Sequence, residues 1–453
     1  MGARPDQLKL GLFLNGGHHS GGWRHPDANA NTDISFADCA RLVQKAERGK
    51  FDLLFLADFL AADAASDPVR SKMTWAAYLE PLTLLSALSA ATTHIGLVGT
   101  ATTSYNEPFH VARKFASLDH ISSGRAGWNL VTTVNGAEAQ NFNRNAHFAH
   151  ADRYQRAEEF VDVVFGLWDS WDDDAFVRDK VSGRYYEPEK VHVLDHRGQH
   201  FSVRGPLNIA RPPQGRPVIV QAGSSEPGKE LAARTAEVIF TAQNEIGEAQ
   251  DFYADVKGRM TKFGRSPDQL KILPGLSIIV GRTEQQAADK LGLLQSLTPP
   301  EVGARMLSSM LDIDLSGYSV DGPLPDVLPP TNGGKARQAL IAAMARRENL
   351  TIRDLYSKMV TSRGHGFAIG SVERVADYIQ EWFESYAFDG FNFMPPWLDG
   401  GLNDFVDLVV PELQRRGILR REYEGRTLRE NLGLERPESR YADSTHISAS
   451  QGA

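Results

Sequence analysis

The chain has 453 residues, 42% of them hydrophobic and 23% charged, with a formal net charge of −8. That is ample material for a packed globular core, and an acidic balance without basic runs argues against a phosphate-backbone partner, so no nucleic-acid partner is expected. The single cysteine, Cys39, excludes an intramolecular disulfide and a thiolate metal cluster. It falls in the helical-looking stretch Ser35 to Arg48 and reads as a buried structural thiol. Met1 to Lys9 is short and polar, with no apolar signal core, and no stretch approaches about 20 apolar residues. The expectation is a cytoplasmic protein with no membrane partner.

In chain order, eight short apolar, β-branched or aromatic runs are each followed by a helical pattern. They are Leu8 to Leu14, Phe51 to Ala57, Ile95 to Ala101, Ala126 to Thr132, Pro217 to Ala222, Glu237 to Ala242, Ile272 to Val280 and Asp389 to Met394. Several are apolar on both faces, as parallel strands covered by helices are. Eight such units fit a closed (β/α)8 TIM barrel better than an open sheet, whose edge strands would need protection. Two stacked α/β domains are the other architecture. The reading is one barrel domain over residues 1–453, with insertions at about Asn143 to Arg216 and Arg282 to Tyr386. The second is the candidate lid, and its segment Asp321 to Gly334 reads as a mobile crossover. A polar C-terminal tail starts at Glu435.

In such a barrel the active site lies where the strands end, so residues just after each run are the ones to read. They are polar: His18 and His19, Asp58, Thr100, Thr102, Asn129, Gln221, Ser224 and Ser225. The segment Gly223-Ser224-Ser225-Glu226-Pro227-Gly228-Lys229-Glu230 follows a strand and opens a helix, where free N–H groups and the helix dipole make a phosphate site. It fits G-x-x-x-x-G-K, but Glu230 stands where a Walker loop needs Ser or Thr, which argues against triphosphate hydrolysis. A plain turn is the other reading. His147 and His150, with Asp152 and Tyr154, form a patch just before the amphipathic helix running to Trp171. No third ligand has a recognisable spacing, so no metal is expected. His150 and Tyr154, four residues apart, share a helix face and could contact one phosphate or ring. Asp58 could accept hydrogen bonds from ligand N–H groups or pair with an arginine. Trp23-Arg24-His25-Pro26 suits substrate-anion binding or loop packing equally. No G-x-G-x-x-G follows the first strand, so a Rossmann dinucleotide site is not indicated.

Several longer stretches resemble one family. They include Glu47-Arg48-Gly49-Lys50-Phe51-Asp52-Leu53-Leu54-Phe55-Leu56-Ala57-Asp58, Ser117-Leu118-Asp119-His120, Gly124-Arg125-Ala126-Gly127-Trp128-Asn129-Leu130-Val131-Thr132, His150-Ala151-Asp152-Arg153-Tyr154, Pro217-Val218-Ile219-Val220-Gln221-Ala222-Gly223 and Val409-Val410-Pro411-Glu412-Leu413-Gln414-Arg415-Arg416-Gly417. The likeness, from about Leu8 to Leu434, is to the nitrilotriacetate, dibenzothiophene sulfone and long-chain alkane monooxygenases of the bacterial luciferase superfamily. It implies a TIM barrel that takes FMN, as FMNH2, from a separate NAD(P)H:flavin reductase. With O2 as co-substrate, it would oxidise a small organic molecule through a C4a-hydroperoxyflavin. Carried over by motif, Asp58, Thr100, His150, Tyr154 and Ser225 are the expected FMN contacts, with Thr102, Gln221 and Ser224 also cofactor-binding. Thr102, Asn129 and His18 are the catalytic candidates. A homodimer or homotetramer is implied. The bond oxidised could be C–N, C–S or C–H in an organosulfur, amine or xenobiotic compound, and Arg24, His18, His19 and Arg70 would favour an anionic one. A deazaflavin-dependent oxidoreductase of the same superfamily and a catalytically silent flavin-binding protein are the alternatives.

Overall fold

The apolar runs become strands between Gly, Pro and charged breaks. The computed structural model describes residues 4, 6–14, 16–62, 67–74, 76–133, 135–329 and 335–442, without the side chains of 150, 335–337, 339 and 340. The strands of its main sheet are β1 (Lys9–Phe13), β2 (Leu53–Leu56), β3 (Gly96–Thr102), β4 (Ala126–Val131), β5 (Val218–Ala222), β6 (Val238–Thr241), β7 (Lys271–Gly281), β8 (Gly366–Ser371) and β9 (Gly390–Phe393), and a separate antiparallel pair joins His196–Arg197 to Ser202–Val203. In the main sheet all except β8 form a parallel ring, which closes where β6 pairs with β7, Val238 opposite Lys271 through Thr241 opposite Pro274. Each of the eight runs read from the sequence is a ring strand.

Strand β8 was not read from the sequence. It lies outside the ring and pairs in parallel with the far half of β7, Gly366 opposite Leu276 through Ser371 opposite Gly281. Its stretch GFAIGS alternates buried and part-exposed residues, so it lacks the two-sided apolar signature of the ring strands.

Helices α1 (Phe36–Arg48), α2 (Pro81–Ala91), α3 (Pro108–Ile121), α4 (His150–Trp168), α5 (Glu226–Thr235) and α6 (Ile246–Arg259) follow the first six strands. Beyond β7 come α7 (Glu284–Ser296), α8 (Pro300–Leu311), α9 (Lys335–Arg347), α10 (Ile352–Ser362) and, after β8, α11 (Val372–Glu384). Helix α4 begins at His150, so Tyr154 lies in its second turn and His150, Asp152 and Tyr154 are part of the helix, with His147 ahead of it. Among the described residues no helix is long and apolar enough to cross a membrane. Cys39 is buried in α1, and burial pushes its thiol up to about 11.

Strand alternation sorts the core into two layers. Phe13, Leu53, Phe55, Val98, Val218, Val220, Val238, Leu273 and Met394 fill the ring, and Leu428 and Leu432 of a short C-terminal helix plug its base. The opposite faces of the same strands pack on the helices.

Buried polar side chains fix the base of the ring. Arg125, between α3 and β4, donates through Nε to the Ser122 carbonyl at 2.8 Å. Its other nitrogens reach the carbonyls of Ile95 at 3.0 Å, Ser89 at 2.9 Å and Thr92 at 3.2 Å. A cation at the end of α2 also opposes the helix dipole. Arg125→Met would leave several buried carbonyls without donors at once, and we expect a loss of about 3 kcal/mol of folding stability. Urea denaturation measures it, and a loss below about 1 kcal/mol would contradict this account of the guanidinium.

Candidate active site

At the rim where the strands end, the inward positions change from apolar to polar. Val98, Thr100 and Thr102 share the inner face of β3, and Asn129 stands opposite Thr100 on β4. The Thr100 hydroxyl donates to the Leu56 carbonyl at 2.8 Å, which commits its only proton. It must therefore accept, and it takes an Nδ2–H of Asn129 at 2.7 Å. That fixes the amide orientation, because a flipped Asn129 would set two acceptors against each other. The carboxamide oxygen Oδ1 is buried and has no hydrogen-bond partner among the described residues. Thr102 is buried too, and its hydroxyl accepts the Ser104 N–H at 3.1 Å.

Below this pair, three rings close the barrel. Phe13, Phe55 and Phe240 stand 5.4, 5.7 and 5.3 Å apart, centroid to centroid. His365 stacks on Phe240 at 5.3 Å. It comes this close because Gly275 faces it, where a Cβ would lie 2.5 Å from Nδ1. His18 meets His365 edge-on at 5.8 Å. Burial, with Arg363 and His365 nearby, pushes His18 well below the usual imidazole range, so its ring is neutral.

A second polar feature lies at the start of α5. Ser225 caps the helix, its Oγ accepting the Gly228 N–H at 3.3 Å, and the Tyr154 hydroxyl lies 3.0 Å from the same Oγ. Gly223, at φ 123°, has open space where a side chain would be, and Ser224 is exposed. The turn thus offers free backbone donors, two hydroxyls and a helix N-terminus to an anion. The His150 side chain lies outside the described residues. Gln221 is not brought to the interior. It shares the outer face of β5 with Ile219, and its Oε1 accepts from Thr235 of α5 at 3.3 Å.

The loop after β2 completes the rim. Burial and the charge of Glu80 push the Asp58 carboxyl up to about 6. Asp58, Tyr78, Arg70, Met73, Asn135 and Arg363 face a cavity of about 460 Å³. Arg363 was missed in the sequence because it sits in a helix-to-strand junction, without a motif. The segment Trp23 to Pro26 is engaged in packing. Arg24 donates to the Leu297 carbonyl at 2.6 Å, and His25 stacks on Trp397 at 4.6 Å. His19 is buried and accepts the Gly21 N–H at 3.1 Å.

The rim therefore joins an anion cradle, a fixed buried acceptor and a cavity in one parallel barrel. The luciferase-like monooxygenase model matches residues 9–389. Nitrilotriacetate monooxygenase component A of Aminobacter aminovorans is 55% identical, with 98% of this chain and 99% of that protein covered. N-acetyl-S-(2-succino)cysteine monooxygenase of Bacillus subtilis is 53% identical, over 98% of this chain and 100% of the relative. A crystal structure of a riboflavin lyase with modified FMN and riboflavin superposes with a TM-score of 0.83, at 33% identity over 96% and 98% of the two chains. A family match over most of the chain, relatives above half identity and the closed parallel barrel agree: the chain belongs to the luciferase-like monooxygenases.

Proposed function

We propose that the chain is the oxygenase component of a two-component system that binds FMNH2 delivered by a separate NAD(P)H:flavin reductase. The observation that carries this reading is the pairing of an anion cradle at Ser225 and Tyr154 with the buried, unmatched acceptor of Asn129. FMN offers a phosphate for the first and ring N–H donors for the second, so the residues present fit it. The relatives' component and subunit names, and the FMN in the riboflavin lyase structure, support the same cofactor and division of labour. We place the protein in the cytoplasm, where NAD(P)H is available to the reductase.

Reduced FMN supplies two electrons to O2, so that one oxygen atom enters the substrate and the other leaves as water. The protein's part is to orient, shield and hold protons. Ser225, the adjacent backbone N–H groups and Tyr154 anchor the phosphate. Asn129 Oδ1 accepts a ring N–H, held in that role by Thr100. Thr102 and His18 are the side chains we assign near the reacting atoms, Thr102 as a hydroxyl donor and His18 through the ring nitrogen that the Ser362 carbonyl does not engage, and the phenylalanine floor excludes water from below. Asp58, on the loop after β2, would accept from the ring's polar edge. His150 remains assigned to the phosphate by resemblance alone.

Anaerobic titration of the protein with photoreduced FMN, followed by oxygenation with a candidate substrate under ¹⁸O2, tests the reading. Tight binding, slower flavin reoxidation than in free solution and label in the product are expected. Asn129→Ala and Ser225→Ala should each weaken reduced-FMN binding about tenfold, the worth of one lost hydrogen bond in a dry site. Wild-type affinity in both variants would remove the site assignment.

Asp58 supplies a pH test. Its carboxyl titrates near 6 when folded, under burial, Glu80 and Glu138, against about 3.9 in an unfolded chain. Between those values the folded state holds a proton that the unfolded state has released, so stability falls as pH rises through this window and stays lowered above it. Asp58→Asn should therefore gain stability over wild type on going from pH 4.5 to pH 8, read by thermal denaturation at both. A pH-independent difference between the two proteins would show that the carboxyl is not perturbed.

A further inference from the structure

The base of the barrel, opposite the rim, carries a polar cavity of about 400 Å³ that the cofactor reading does not use. Arg4, Lys9, Lys271 and Asp389 line it, with the exposed carboxylates of Asp6 and Asp268 and the end of the C-terminal plug helix. Alternation along the strands sends two ammonium groups there. Lys9 shares the inner face of β1 with Phe13, and Lys271 shares that of β7 with Leu273. Strand β9 runs between them, and its Gly390 adds no side chain, because a Cβ there would collide with the Lys9 backbone.

The buried carboxylates nearby are committed to other cations. Asp389 pairs with Arg4 and, at 3.0 Å, with Lys257, while accepting the Ile272 N–H and the Tyr253 hydroxyl, each at 2.8 Å. Asp52 pairs with Arg420 at 2.7 Å. Asp6 lies 3.4 Å from Arg4. Lys9 donates to the Asn431 carbonyl at 2.8 Å. Burial lowers the pKa of its ammonium, with Asp52 opposing that shift and Arg420 and Lys271 adding to it. Lys271 is only 8% exposed, and among the described residues its ammonium has neither a carboxylate at ion-pair distance nor a hydrogen-bond acceptor. Two ammonium groups that share a secluded cavity without a carboxylate are unfavourable unless an anion joins them. Each is a point charge with rotatable donors, which suits a phosphate oxygen.

We propose that Lys9 and Lys271 form a binding site for a single phosphoryl group at the base of the barrel, remote from the flavin rim. Lys271 supplies the uncommitted ammonium. Lys9 has three donors, so it can keep the Asn431 carbonyl and turn another N–H to the same ion. The exposed Asp6 and Asp268 repel a second phosphoryl group and restrict the ligand to one. A bound ion would tie the first strand and β7 to the plug helix, whose last turn carries Asn431. The site is independent of the rim and stands whether or not FMN binds there.

Isothermal titration of the FMN-saturated protein with inorganic phosphate, at ionic strength matched with chloride, tests this. Saturable binding with a dissociation constant of about 1 mM or lower is expected. Lys271→Met and Lys9→Met should each weaken it at least tenfold, with FMN affinity within twofold of wild type. Lys271→Arg, which keeps the charge, should recover part of the loss. Because Lys271→Met also removes an unmatched cation, the variant should melt no lower than wild type in chloride alone, and added phosphate should raise only the wild-type melting temperature. Ser225→Ala, which cuts the rim cradle, should leave phosphate binding unchanged. Glycerol 2-phosphate separates two sources of the group: binding at least as tight as phosphate assigns a monoester, and tenfold weaker binding assigns the free ion. Absence of phosphate binding in wild type, equal binding in Lys271→Met, or loss in Ser225→Ala alone would overturn the proposal.

Discussion

Parallel closure is the constraint on which the rest of the molecule depends. A ring of eight strands running one way sends every carbonyl end to a single rim, and the pairing of β6 with β7 leaves the ring no open edge. The interior must then be filled by side chains from alternate positions, and here the filling stops at three phenylalanines. Above them the same inward faces carry Thr100, Thr102 and Asn129. The active-site floor and the top of the hydrophobic core are thus one surface, and a shift of one residue in register would exchange Asn129 for Trp128 or Leu130 at that level.

Register is held at the opposite end by polar groups, Asp52 and Asp119 fully buried and Glu47 half-buried. Glu47 accepts the N–H groups of Thr93, His94 and Ile95 at 2.8, 2.6 and 3.0 Å, which ties α1 to the entry of β3. Asp52 accepts the Leu10 N–H at 2.7 Å and pairs with Arg420 at 2.7 Å. Asp119 accepts from Ala126 and Gln214 at 3.1 and 2.6 Å. A buried group of this kind costs far more when unmatched than it contributes when matched, so each anchor favours one pairing against its neighbours. Glu47, Asp52, Asp119 and Arg125 all lie in stretches that carried the family resemblance. Much of what was recognisable in the sequence is therefore scaffolding that sets the base of the barrel, and the rim inherits its geometry from it.

That division explains what was legible. Ring strands announce themselves because both faces are apolar, whereas β8, with one face partly exposed and glycines at both ends, does not. The same two-sidedness hides parity: in Val218-Ile219-Val220-Gln221-Ala222 nothing local says that Val218 and Val220 point inward, so Gln221 read as a rim residue although it faces α5. Ser225 and Tyr154 could be found because a strand-to-helix turn and a helical spacing are local patterns. Arg363 could not, because its relation to Arg70 arises only when the segment between β7 and β9 folds back over the loop after β2. Ion pairs from Lys72 to Glu301 and from Arg305 to Asp67 hold α8 against that loop.

The proton committed by Thr100 has a consequence for the division of roles at the rim. An Asn129 fixed as an acceptor serves N–H groups and is unsuited to holding a developing oxyanion, which needs donors. On the proposed function, donors near the reacting oxygen must then come from other residues, and the hydroxyl of Thr102 is one the rim supplies. His18 is kept neutral by burial, with Arg363 and His365 nearby. A neutral ring has one N–H and one acceptor, and the Ser362 carbonyl engages that N–H, so the second nitrogen serves as an acceptor.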